Sequence, residues 1–298
     1  MVDKDKKQKL DISSSSAGVF YTTTVLCYII LSIFISIIVS ILSKGENPDG
    51  LLWYQYLSVI AGGVMLCIAL VVGMKVTGED LKSCIGLKNV SPIFYVLSVL
   101  IFFGMVFGLG EANNYFIGFL QKLGYEPSTS TLPEKSVLSV ITVTLFVCVA
   151  PALFEELIFR GVILAGLKKH GEVFAILISA LLFSIYHMSP EKTVYQFLAG
   201  VLFGLIAIKS KSIIPSVIIH FLNNFFVVIN YYFLNLSFVN TTKIILTVLG
   251  VLVLVGSVVF TCFIRKFEKG EKKGLGEFII GALGGIFGAC LLWVVALF

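Results

Sequence analysis

Two adjacent carboxylates and an arginine, Glu155, Glu156 and Arg160, lie in FEELIFRG, inside one of the most apolar stretches of the chain. Ionisable groups in such a setting are costly and mark function by default. On a helix, Glu156 and Arg160 are i,i+4 neighbours and can pair, which lowers the cost of burying both. Glu155 is turned by about 100° and lacks that partner. A structural ion pair needs one carboxylate, so the second asks for another role. His187 ends LLFSIYH, with Phe183 one turn before it, and His220 and Asn224 share a face of SVIIHFLNNFF. Each has a bland reading when taken alone. A histidine at a span end is interfacial, a His–Asn pair is interhelical glue, and Asn223 on the next face is a packing residue. Glu111, with Asn113 and Asn114, reads as a solvated helix end.

Depth argues against separate accidents. At 1.5 Å per residue, Glu155 lies about 20 Å from Lys168, His187 about 22 Å from Glu172, Asn224 about 20 Å from Lys211 and His220 about 14 Å from it. Three polar insertions from three helices can therefore meet in one plane. A carboxylate and a histidine sharing a water act as a general-base pair. A second histidine with an amide one turn on supplies donors to a developing oxyanion. That set suffices for amide hydrolysis without a covalent nucleophile. The competing chemistry is a metal: Glu155, His187 and His220 offer an O, N, N set compatible with zinc, although no HExxH is present. No cofactor is expected, with zinc as the alternative.

The elements that must position these residues are membrane helices. The chain has 298 residues, of which 58% are hydrophobic and 13% charged. A soluble domain carries roughly twice that charged fraction. Its mean hydropathy is +1.01. The expected fold is an all-α, polytopic bundle of about eight or nine spans, near 18–43, 51–73, 91–119, 136–167, 172–188, 193–208, 212–235, 241–264 and 277–297. Residues 79–90 suggest an interfacial helix. The division expected is a disordered cytoplasmic tail over 1–16, N-terminal membrane helices over 17–130, a catalytic core over 131–235 and C-terminal helices over 236–298. Of the 22 Lys and Arg, 16 fall in the tail and alternate loops, five in the opposite loops, and Arg160 is the remaining one. That asymmetry places the N-terminus in the cytoplasm, in an integral protein of a bacterial plasma membrane. The basic residues are scattered, so no nucleic-acid partner is expected. The six cysteines show no CxxC spacing and read as small apolar fillers.

EELIFRG, FSIYH and HFLNN resemble the ordered motifs EExxxR, FxxxH and HxxxN of the CPBP family, the CaaX-processing and bacteriocin-processing intramembrane proteases (also called Abi). The resemblance covers roughly residues 136–230. It implies cleavage of a peptide bond in a membrane-associated peptide or CaaX-like protein tail. By resemblance, Glu155 and His187 activate water, His220 and Asn224 form the oxyanion site, and Glu156, Arg160 and Phe183 support it. The family has been labelled both metalloprotease and glutamate protease; the glutamate type is favoured here. The expected partners are membrane lipid and a peptide or protein substrate, either lipidated or a leader or pheromone peptide. The alternative is a catalytically silent scaffold or bacteriocin-immunity partner of the same fold. A proton-coupled transporter is a third reading, but it would call for symmetric halves that the chain lacks.

Overall fold

The computed structural model describes residues 12–44, 46–80, 90–127, 132–236, 239–271 and 274–298. Among them the chain forms nine helices and no β-strand, only an isolated bridge between Gly171 and Lys269. The helices are α1 (Ser14–Leu42), α2 (Leu52–Thr77), α3 (Pro92–Lys122), α4 (Val137–His170), α5 (Glu172–Tyr186), α6 (Pro190–Ser210), α7 (Ile214–Leu234), α8 (Asn240–Ile264) and α9 (Leu275–Val295). All but α5 are long and apolar enough to cross a membrane. The expected polytopic bundle is therefore what the chain forms.

The fifth span is the exception. Its 15 residues rise about 22 Å, short of a hydrocarbon core of about 30 Å. The apolar run and the helix end together at Tyr186, where His187 caps the helix and Pro190 opens the next one. The tail is also shorter than expected. Ser13 caps α1 by accepting from the Ser16 amide, so helix replaces the disorder expected at 14–16. Ser14 is fully buried and donates to the Gly166 carbonyl. Most of the suggested interfacial helix at 79–90 lies outside the described residues.

Local sequence explains several ends. Ser136 caps α4 through the Ser139 amide. Pro92 and Pro215 stand in the first turns of α3 and α7, where a missing N–H costs nothing. Pro215 thus opens a helix and does not break one. Pro151 is interior to α4 and follows a π-helical segment at Thr144–Val149; a second π segment runs over Leu157–Leu164. The two expanded turns bracket Glu155 and Glu156.

Lipid-facing surface is apolar, with Ile30, Phe34, Ile41, Phe263 and Ile280 well exposed. The interior is built on aromatics: Phe20, Tyr21, Phe159, Phe183 and Phe203 are fully or almost fully buried. Helices α1 and α9 lie backbone to backbone. A Cβ on Gly18 would stand 2.3 Å from the Phe278 carbonyl oxygen, so only glycine permits the approach. Thr22 Oγ1 donates to the Gly281 carbonyl at 2.6 Å across that seam.

One end of the bundle collects the basic connections. His170 contacts Ser14 Oγ through Nε2 and the Glu271 carbonyl through Nδ1. Arg265 makes two bonds to the buried Glu172 carboxylate, at 2.6 and 3.0 Å, and a third to the Ile208 carbonyl. Lys209 donates to the carbonyls of Cys262 and Arg265. The start of α1, the α4–α5 corner, the end of α6 and the α8–α9 connection therefore share one end, as the charge distribution requires. At the opposite end Glu111 pairs with Lys243 at 2.8 Å and with Asn114 at 3.2 Å, a part-exposed ion pair in place of a merely solvated helix end.

Candidate active site

Helix α4 supplies Glu155, Glu156 and Arg160, and all three are buried. One oxygen organises the group. Glu156 Oε1 accepts from Arg160 Nη1 at 2.9 Å and from His220 Nδ1, on α7, at 3.0 Å. The Arg160 guanidinium also donates to the Gly200 carbonyl at 3.3 Å, and it lies 4.4 Å from the Phe183 ring and 5.1 Å from the Phe203 ring. A buried cation is thus held by one carboxylate, one carbonyl and two aromatic faces. Gly200 can lend its carbonyl because α5 and α6 touch there; a Cβ would meet the Ala180 Cα at 2.9 Å.

Glu155 does not face away from its neighbour, as simple helical geometry suggests. Its Oε2 stands 3.8 Å from His220 Nε2. The two ring nitrogens of one imidazole point in different directions, so a single histidine meets both adjacent carboxylates. Glu155 Oε2 and Glu156 Oε2 are buried without a hydrogen-bond partner. Unsatisfied buried carboxylate oxygens are expensive. At Glu155 the free oxygen is also the one that faces the histidine.

His187 caps α5, and its Nδ1 lies 2.8 Å from the Phe183 carbonyl, which can only accept. Nδ1 therefore carries the proton, and in the neutral ring Nε2 is the basic atom. Phe183 sits between the two histidines, its ring 4.8 Å from that of His187 and 6.1 Å from that of His220. Among the described residues no hydrogen bond or ion pair joins Glu155 to His187. The would-be zinc ligands Glu155, His187 and His220 are not at coordinating distance of one point either: no three His, Cys, Asp or Glu side chains among the described residues are grouped to hold a metal ion. The donor set does not fit a bound metal in this arrangement.

Asn224 lies one turn beyond His220. Its Nδ2 donates to the Val147 carbonyl of α4 at 3.1 Å, and its Oδ1 accepts from Asn223 Nδ2 at 3.3 Å. Asn223 Oδ1 in turn accepts from Tyr195 on α6 at 2.5 Å. Asn223 is thus a hydrogen-bonded link and not the packing residue its face suggested. Phe203 is the other residue sequence reasoning missed. It is 1% exposed and stacks on His220 at 5.1 Å with the rings 24° apart. An aromatic in an apolar helix carries no signal of its own. The adjacent pair of amides at 223 and 224 was the one available hint for the link.

Helices outside this group hold it from behind. Tyr21 of α1 packs edge-on against Phe159, and Tyr28 against Tyr186. Trp293 of α9 donates to Thr193 at 2.7 Å.

Comparison with curated proteins finds no match, and neither does comparison with solved structures. A family model does match, over residues 137–226, the stretch from the start of α4 to Phe226 in α7. It is described as type II CAAX prenyl endopeptidase Rce1-like. The matched stretch contains all three motifs and every side chain around Glu156 and His220. Over that stretch, which is under a third of the chain, the protein is similar to the Rce1-like group of type II CAAX prenyl endopeptidases.

Proposed function

We propose that the protein is a glutamate-type intramembrane endopeptidase, with Glu155 as the base that activates water. The observation that carries this reading is the Glu155 carboxylate. It is buried, one of its oxygens has no hydrogen-bond partner, and that oxygen faces His220 Nε2 at 3.8 Å. A structural carboxylate would be paired, as Glu156 is.

The remaining roles follow from the donors. His187, with Nδ1 committed to the Phe183 carbonyl, offers Nε2 to the water or to the leaving amine. His220 donates Nδ1–H to Glu156, so it offers a second N–H, at Nε2, to an oxyanion in its imidazolium form. Asn224 has a second amide N–H beyond the one given to Val147. Glu156, Arg160, Phe183 and Phe203 fix the histidine between them. Water adds to the scissile carbonyl as its proton passes to the base. Collapse of the tetrahedral intermediate breaks the C–N bond, and the proton goes to the departing amine. No metal takes part in this scheme.

The substrate is a peptide or protein tail lying in the bilayer, with a lipidated CaaX-type C-terminus as the first choice. The basic end of the bundle, which includes the start of α1, faces the cytoplasm of a bacterial plasma membrane.

The test is cleavage of an internally quenched peptide ending in a farnesylated CaaX tail by the purified protein. Glu155→Gln should lower kcat by roughly 10³-fold, and a chelator should leave the wild type unchanged. Retained turnover in Glu155→Gln would sink the base assignment. Loss with the chelator would move the chemistry to a metal. No cleavage by the wild type, with function retained in His187→Ala, would favour the silent scaffold.

A further inference from the structure

The amide of Asn224 can be placed in two ways, and only one presents an N–H. The Val147 carbonyl decides which. A carbonyl only accepts, so Asn224 must turn its NH₂ toward Val147. Its Oδ1 then points to Asn223, which must answer with its own NH₂. That leaves Asn223 Oδ1 facing Tyr195, whose hydroxyl must donate. Each link has one permitted direction, and the direction is inherited from Val147.

The Val147 carbonyl is available for a local reason. In a regular α-helix it would receive the N–H of the residue four positions on. That residue is Pro151, which has none. The π-helical segment at Thr144–Val149 just before it shows the backbone already off the regular register. Pro151 thus frees an acceptor toward α7, and Asn224 uses it.

We infer that Tyr195 and Asn223 are positioning residues that lock the Asn224 amide with its second N–H available to the reacting carbonyl. This rests on the proposed oxyanion role of Asn224. Among the described residues the Tyr195 hydroxyl bonds to Asn223 and to neither His220 nor a carboxylate, so it acts through the relay. Removing its hydroxyl leaves Asn223 free to rotate, so the Val147 carbonyl alone then holds the Asn224 amide against the flip that presents an oxygen to an oxyanion.

The experiment uses the full-length protein and the farnesylated quenched peptide, with kcat and KM measured separately and the thermal midpoint alongside. Tyr195→Phe keeps the ring, so the fold should hold; kcat should fall about tenfold with KM within about twofold. Asn223→Asp, which accepts from Tyr195 but cannot donate to Asn224, should lose at least as much and serves if Tyr195→Phe is unstable. Asn224→Ala should lose about 10²- to 10³-fold. Adding Tyr195→Phe to Asn224→Ala should cost nothing further. Wild-type kcat in Tyr195→Phe, or the same tenfold loss on top of Asn224→Ala, overturns the relay while leaving the oxyanion assignment intact. Wild-type kcat in Asn224→Ala overturns the oxyanion assignment and the relay with it.

Discussion

Glu156 looks like the less interesting of two adjacent carboxylates, yet the structure makes it the centre of the group. A single oxygen holds both Arg160 and His220. Glu156→Gln removes the countercharge of a buried guanidinium, and such a loss costs about 3 kcal/mol. The thermal midpoint in detergent should fall accordingly, and cleavage should fall with it because His220 loses its orienting partner. An unchanged midpoint would mean that Phe183, Phe203 and the Gly200 carbonyl hold Arg160 unaided. At this scale the motifs were legible because charge in an apolar run is conspicuous. The relation between Glu155 and Glu156 was not. A helical wheel separates their directions, but it does not know that an imidazole on another helix has two faces to offer. Phe203 and Tyr195 were invisible for the opposite reason, since aromatics in apolar helices are expected everywhere.

The helices themselves were mostly plain in the sequence. Eight long apolar runs became eight long helices, because length and hydropathy are what membrane crossing demands. Two features escaped. One is that α5, apolar up to the His187 that caps it, is too short to cross a membrane by itself. The π segments of α4 change hydrogen-bond register without changing composition, and Pro151 is the single residue that hinted at one. The α5–α6 contact is the element on which the site depends most. Gly200 admits Ala180 and lends its carbonyl to Arg160. Gly200→Leu should therefore separate the two helices, lower the thermal midpoint by several degrees and abolish cleavage, whereas Gly256→Leu on α8, where a Cβ meets nothing within 4 Å, should do neither. Equal stability of the two variants would show that the contact is dispensable.

For the molecule as a whole, the matched family segment does not stand alone. Helices α1 and α9, outside it, pack behind the candidate site, and the α8–α9 connection fastens one end of the bundle. Arg265 is the main fastener, joined to the buried Glu172 and to the end of α6. Arg265→Ala takes the two-pronged partner from the buried Glu172 carboxylate, leaving it the Glu268 amide and Lys168 at 3.8 Å, and should cost about 2 kcal/mol. Heat denaturation would report it, while kcat well below the transition should stay near the wild-type value because no catalytic side chain is touched. A kcat loss as large as that of Glu155→Gln would mean that this end of the bundle moves during turnover. The charge asymmetry of the loops had already grouped these connections; the ion pairs among them were out of reach, since scattered loop charges do not say which loops meet.

The short helix α5 carries a further consequence. Its 15 residues end at His187, about 22 Å from their start, beneath a hydrocarbon layer of about 30 Å. Any lipid that meets that end would thin or admit water, at a modest cost for each ångström of mismatch. The proposed activity should therefore respond to bilayer thickness. In vesicles of short-chain phosphatidylcholine it should turn over faster than in long-chain vesicles at equal fluidity, with the folded fraction unchanged. Equal rates in both would mean that the substrate and the surrounding helices, not the acyl chains, shape the opening over His187. On that reading, the reach of one helix would tie turnover to the dimension of the membrane around it.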